Sequence, residues 1–145
     1  MDERRLILEA LEARNLAYAP YSHFLVGAAL LGKSGRVYRG CNVENASYGA
    51  TNCAERTAFF KGVSEGEVEF MAIAIAGGPE GRAVGLCPPC GVCRQVMAEF
   101  CPGDFPVLLA SSADTWETYT LDELLPRSFQ ISVAHRKGGE GDEML

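Results

Sequence analysis

Two short motifs, Cys53-Ala54-Glu55 and Pro89-Cys90-Gly91-Val92-Cys93, constrain this chain more than any other feature. A fold that brings them together offers one metal ion three thiolate ligands with a carboxylate beside them. Zinc accepts thiolate sulfur, and a catalytic zinc keeps its fourth position open to water. A non-ligating glutamate next to such a site moves protons to and from that water. The spacing restricts how each motif is built. Residues two apart on a continuous helix point away from each other, so Cys53 and Glu55 face one ion only if a helix begins there. Cys90 and Cys93, three apart, share one helical face, and Pro88-Pro89 opposes helix before them. The spacing therefore predicts two helix starts converging on one ion. The positive dipole ends of those helices favour thiolate over thiol.

Three thiolates outweigh one Zn²⁺ by a single negative charge. Arg56 and Arg94, close behind the two motifs, are expected to offset that excess by donating hydrogen bonds to sulfur. A second arrangement stays open at this point. Cys87-x-x-Cys90-x-x-Cys93 with Cys53 supplies four thiolates, enough for a closed structural zinc or an iron–sulfur cluster. Against it, Cys87 precedes two prolines, and a closed site leaves Glu55 without a purpose. We read an open, three-cysteine catalytic zinc.

At 145 residues the chain is expected to form one domain, residues 1–137, followed by a Gly- and acid-rich tail at 138–145 that reads as mobile. The net charge of -6, with no dense Lys/Arg cluster, argues against tracking a nucleic-acid backbone. It leaves room for a single uncharged nucleoside. The charged N-terminus lacks the apolar run of a signal peptide, and no stretch is long and apolar enough to span a bilayer. A cytoplasmic protein with no membrane partner is expected. In a reducing compartment the six cysteines stay unpaired.

Residues 2–15 read as an amphipathic helix. Phe24–Leu31 and Arg36–Asn42, joined by Gly32-Lys33-Ser34-Gly35, read as a hairpin. A helix is expected over Cys53–Lys61, stopped by Gly62. Phe70–Ala76 reads as a strand covered on both faces, with a glycine-rich loop over 77–85. A helix over Gly91–Phe100, short strands at Pro106–Ala110 and Trp116–Thr120, and a helical turn at Leu121–Leu125 complete the pattern. This order predicts an α/β sheet with helices packed on it.

Gly40-Cys41-Asn42-Val43-Glu44-Asn45-Ala46-Ser47-Tyr48-Gly49, running into Cys53-Ala54-Glu55-Arg56-Thr57-Ala58, resembles cytidine deaminase, specifically its short-chain, homotetrameric class with three cysteine ligands. Tyr21-Ser22, Phe24 and Val26-Gly27-Ala28-Ala29-Leu30 resemble the family's first strand. Pro89-Cys90-Gly91-Val92-Cys93-Arg94-Gln95 resembles its second metal half-site. The likeness runs from about Tyr18 to Gln95 and more weakly to Phe129. Pro88 departs from the serine the family often carries there. Related deaminases acting on deoxycytidylate or polynucleotides usually place a histidine where Cys53 stands. The two histidines here, His23 and His135, match no such position.

The resemblance implies a three-layer α/β/α fold with a central mixed sheet of about five strands. It also implies one Zn²⁺ per subunit, held by Cys53, Cys90 and Cys93, with Glu55 as proton shuttle. The implied reaction is hydrolytic deamination of cytidine and deoxycytidine in pyrimidine salvage. Asn42 and Glu44 would bind the sugar hydroxyls, Phe24 would pack on the pyrimidine, and backbone near Ala54 would contact the base. Ala46, Tyr48 and Phe129 would close the sites of neighbouring subunits in a homotetramer. From spacing alone, Asn42-Val43-Glu44 equally ends a strand in a polar turn, and Phe24 and Phe129 equally serve a core. The alternative within the same chemistry is a related zinc aminohydrolase such as blasticidin-S deaminase; outside it, a non-enzymatic zinc-stabilised binding module.

Overall fold

A computed structural model describes residues 1–131, so the reading of 138–145 as a mobile tail, like His135, lies outside the described residues. Helix α1, Glu3–Arg14, is capped by the Asp2 carboxylate, which accepts from the Arg5 amide. It buries Leu6, Ile7, Ala10 and Ala13 on one stripe. The hairpin follows as β1, Phe24–Gly32, and β2, Val37–Cys41, in antiparallel register. Then come α2, Ala54–Ser64; β3, Phe70–Pro79; α3, Gly91–Phe100; β4, Pro106–Ala110; β5, Trp116–Thr120; and the short α4, Leu121–Leu124.

The strands form one sheet in the order β2-β1-β3-β4-β5. The β3–β4 pair is parallel and the others antiparallel, giving the mixed five-stranded sheet expected. Alternate strand residues feed two cores. On one face Leu6, Ile7 and Ala10 of α1 meet Ala29, Ala72, Ala74 and Leu108. On the other, Phe59 of α2 and Met97 of α3 meet Leu30, Ile73, Ile75 and Val107. The result is a three-layer α/β/α sandwich in which both helices carrying the cysteine motifs lie on the same face.

Two sequence boundaries move. Helix α2 runs through Gly62 to Ser64. Gly62 does not stop it, because that position faces the rings of Tyr38 and Phe70, where a Cβ would come within 3.1–3.3 Å. Strand β3 continues past Ala76 into what reads as loop, since Gly77, Gly78 and Pro79 pair with Val26, Leu25 and Phe24.

One close approach positions the chemistry. A Cβ on Gly40 of β2 would lie 2.3 Å from the Ala54 carbonyl oxygen and 2.5 Å from the Ala58 nitrogen. The bare backbone of β2 therefore seats the first turn of α2, the turn that carries Cys53 and Glu55, directly on the sheet.

Candidate active site

Both cysteine motifs sit at helix starts. Cys53 is the N-cap of α2 with extended backbone (φ -78°, ψ 157°), and Glu55 stands in that helix's first turn. Cys90 is the N-cap of α3, and its sulfur accepts from the Cys93 amide at 3.5 Å. The three sulfur atoms lie within 4.8 Å of one another, with Cys53 Sγ 3.8 Å from Cys90 Sγ. Two sulfurs each about 2.3 Å from a tetrahedral ion stand roughly 3.8 Å apart, so this donor set fits a zinc ion. Cys87 does not belong to it. Among the described residues the metal-competent cluster contains Cys53, Cys90 and Cys93. Cys87 is turned instead against the β3 backbone, where a Cβ on Gly77 would meet its sulfur at 2.8 Å. The four-thiolate arrangement is therefore not formed.

Arg56 donates from Nη2 to Cys53 Sγ at 3.3 Å, and its Nε is buried with no hydrogen-bond partner. Positive charge is thus held against the sulfurs, as the charge count requires. Arg94 departs from its expected role. Its Nε donates to the Pro89 carbonyl and its Nη1 to the Leu124 carbonyl, both at 2.7 Å, so it ties the second motif to α4 and does not bond sulfur. The Cys53 thiol is pulled down, first by its interaction with Cys93 and then by Arg56, while Cys93 is pushed up as the partner that keeps the proton.

Glu55 is 4% exposed. Burial, followed by the negative charge on Cys53, raises its carboxyl to about 7. A divalent cation on the sulfurs would draw that value back down.

The segment before α2 builds a second region. Val43 and Asn52 form an antiparallel bridge that ties residues 42–44 to the residue preceding Cys53. Asn42 is buried, and its amide is engaged with β1: Nδ2 donates to Phe24 O at 2.8 Å and Oδ1 accepts from Val26 N at 2.9 Å. Glu44 opens into a cavity of about 360 Å³ lined also by Tyr21, Ser22, Asn45, Tyr48 and Thr51. Among the described residues no Lys, Arg or His lines it.

Comparison with known proteins decides the family. The model of the cytidine and deoxycytidylate deaminase zinc-binding region matches residues 1–109. This chain belongs to the cytidine deaminase family. The cytidine deaminase of Halalkalibacterium halodurans is 56% identical over 129 residues, 89% of this chain and 95% of that protein. That of Sporosarcina psychrophila is 52% identical over 129 residues, 89% and 92% of the two chains. The crystal structure of cytidine deaminase from Burkholderia pseudomallei superposes with a TM-score of 0.81 at 46% identity, covering 89% of this chain and all of that one. A blasticidin-S deaminase of Bacillus cereus is also similar, at 30% identity over 128 residues, 86% and 89% of the two chains.

The remaining residues that the cytidine deaminase likeness singles out divide by environment. Ala54 is fully buried under the sheet, while Phe24 opens β1 at 39% exposure. Ala46 is exposed, as are Tyr48 at 83% and Phe129 at 58%. Phe129 is therefore not a core residue of this chain. Its carbonyl accepts from Gln95 Nε2 at 2.7 Å, which fixes the segment against α3. Sequence reasoning missed the partners of Glu44: the Tyr21 and Ser22 amides donate to Oε1 at 3.0 and 3.1 Å, and the Ser22 hydroxyl donates to Oε2. The only local hint was a serine between a proline turn and a strand, a weak turn signal.

Proposed function

We propose that this protein is a zinc-dependent aminohydrolase that converts cytidine and deoxycytidine to uridine and deoxyuridine with release of ammonia. The single observation that carries the proposal is a buried carboxyl, Glu55, in the same helical turn as Cys53 of a three-sulfur cluster to which the described residues add no fourth ligand. Bound zinc supplies the Lewis acidity that makes water nucleophilic near neutral pH.

The chain's own groups do the rest. As the water oxygen bonds to C4, Glu55 takes the proton it gives up and delivers it to ring nitrogen N3; Glu55 then takes the remaining proton of the new C4 hydroxyl and passes it to the amine, which leaves as ammonia as the C4–N bond breaks and the carbonyl forms. Arg56 holds the Cys53 sulfur in its ionised form. Phe24 lies against the pyrimidine and backbone near Ala54 meets its polar edge. Asn42, with one amide hydrogen unspent, donates to the sugar, and Glu44 accepts from it. The pocket holds the Glu44 carboxylate and, among the described residues, no cation lines it, which disfavours a 5′-phosphate and favours free nucleosides as substrates.

The exposed Ala46, Tyr48 and Phe129 complete neighbouring sites in a homotetramer with shared active sites, each subunit holding one zinc. The protein acts in the cytoplasm, in pyrimidine salvage, without nucleic-acid or membrane partners. Among the described residues no helix is long and apolar enough to cross a membrane.

Ammonia release by the zinc-loaded protein on cytidine, deoxycytidine, cytidine 5′-phosphate and blasticidin S tests this reading. Turnover of the two free nucleosides alone is expected. Turnover of blasticidin S alone would keep the metal chemistry and overturn the assignment of the sugar site.

A further inference from the structure

Glu44 has a nearly saturated acceptor inventory. An ionised carboxylate offers two lone pairs on each oxygen. Both on Oε1 are taken by the Tyr21 and Ser22 amides, and one on Oε2 is taken by the Ser22 hydroxyl. One acceptor site remains on a carboxylate that lines the cavity. The direction of the Ser22 bond is forced. Ser22 Oγ already accepts from the Phe24 amide at 3.0 Å, and a carboxylate only accepts, so the hydroxyl proton points at Glu44. The backbone geometry that aims two successive amides at one carboxylate is followed by His23 at φ 56°, a left-handed conformation uncommon for a non-glycine residue. Successive amides converging on an anion form a nest. Ser22 thus joins the residue assigned to the base, Phe24, to the residue assigned to the sugar, Glu44.

We infer that Ser22 is a positioning residue that locks the Glu44 carboxylate, leaving a single acceptor site open toward the nucleoside's sugar. The inference rests on the reading of Glu44 as a sugar contact. The 3′-hydroxyl is the ring hydroxyl that cytidine and deoxycytidine share, and one open acceptor site serves one hydroxyl. The Ser22 hydroxyl is also the leading cause that holds Glu44 below the ordinary carboxylate range, which keeps it acceptor-only. Pre-setting the carboxylate removes an ordering cost from substrate binding.

The test is calorimetric binding of the products uridine and 3′-deoxyuridine to the zinc-loaded full chain, so that no turnover is involved. Wild-type protein is expected to bind uridine at least about tenfold more tightly, the scale of one hydrogen bond to a charged acceptor. Glu44→Ala abolishes that ratio. Ser22→Ala and Ser22→Gly, which keep both amides, shrink it to about threefold or less, and Ser22→Thr restores it. A wild-type ratio in both Ser22→Ala and Ser22→Gly, with the ratio lost in Glu44→Ala, overturns the role of Ser22 and leaves Glu44 as the sugar contact. Equal losses in Ser22→Ala and Ser22→Thr also overturn it, because the hydroxyl is then not the agent. A wild-type ratio in Glu44→Ala, or no preference in the wild type, overturns the Glu44 reading and the inference with it.

Discussion

Val43 and Asn52 exchange both backbone hydrogen bonds, each amide donating to the other's carbonyl at 3.0 Å. This one bridge fixes the distance between the two halves of the site. Residue 43 stands between Asn42 and Glu44, and residue 52 immediately precedes Cys53. The segment proposed to face the sugar and the first cysteine of the sulfur cluster are therefore held in a common frame.

Glu55→Gln keeps the shape of the side chain and removes its ability to carry a proton. We expect zinc content near wild type and turnover reduced by about 10²- to 10⁴-fold, the range of general acid–base contributions. Metal analysis alongside ammonia release checks it. Turnover close to wild type would remove Glu55 from the reaction.

Replacing a cysteine separates ligands from bystanders. Cys93→Ser and Cys90→Ser are expected to lose most bound zinc, whereas Cys87→Ser is expected to retain it, because Cys87 packs against Gly77 outside the sulfur cluster. Zinc stoichiometry after dialysis against a mild chelator reads the difference. Loss of zinc in Cys87→Ser would reinstate a four-thiolate site.

Gly40→Ala drives a methyl group into the α2 backbone, at 2.3 Å from the Ala54 carbonyl oxygen. Overpacking of this kind costs about 1–3 kcal/mol, which denaturant unfolding will show. Because the displaced turn carries Cys53 and Glu55, zinc affinity is expected to fall as well. A variant with wild-type stability and zinc affinity would mean that α2 does not depend on this seat.

Glu67 gives the fold an acid-sensitive contact. Burial pushes its carboxyl up, but hydrogen bonds from the Ser34 hydroxyl and amide, and then from Tyr38, outweigh it and hold the group below the ordinary carboxylate range. A depressed folded-state value stabilises above the unfolded-state value, and the contribution is lost as pH falls through the folded one. The Tm difference between wild type and Glu67→Gln should therefore be full at pH 6–7 and shrink below about pH 4. A difference independent of pH would refute the ionic origin.

The metal site was legible because its information is local. A caps-and-spacing argument on Cys53, Glu55, Cys90 and Cys93 needs only the first turn of each helix, and both helices begin where the prolines and spacing require. What escaped depends on contacts across the fold. Gly62 looks like a stop signal until Tyr38 and Phe70 are seen to crowd it, and Gly77-Gly78 looks like loop until β1 pairs with it. Arg94 sits beside its motif in sequence, yet its donors face the Pro89 and Leu124 carbonyls. The clamp on Glu44 spans 22 residues and has no periodic signature.

Cys53 and Cys90 lie 37 positions apart along the chain. An ion shared between them fastens the start of α2 to the start of α3 and closes that stretch into a loop, much as a covalent bridge would. Unlike a disulfide, this fastening survives a reducing environment and opens to a chelator. Metal supply thereby governs how firmly one whole face of the sandwich is held.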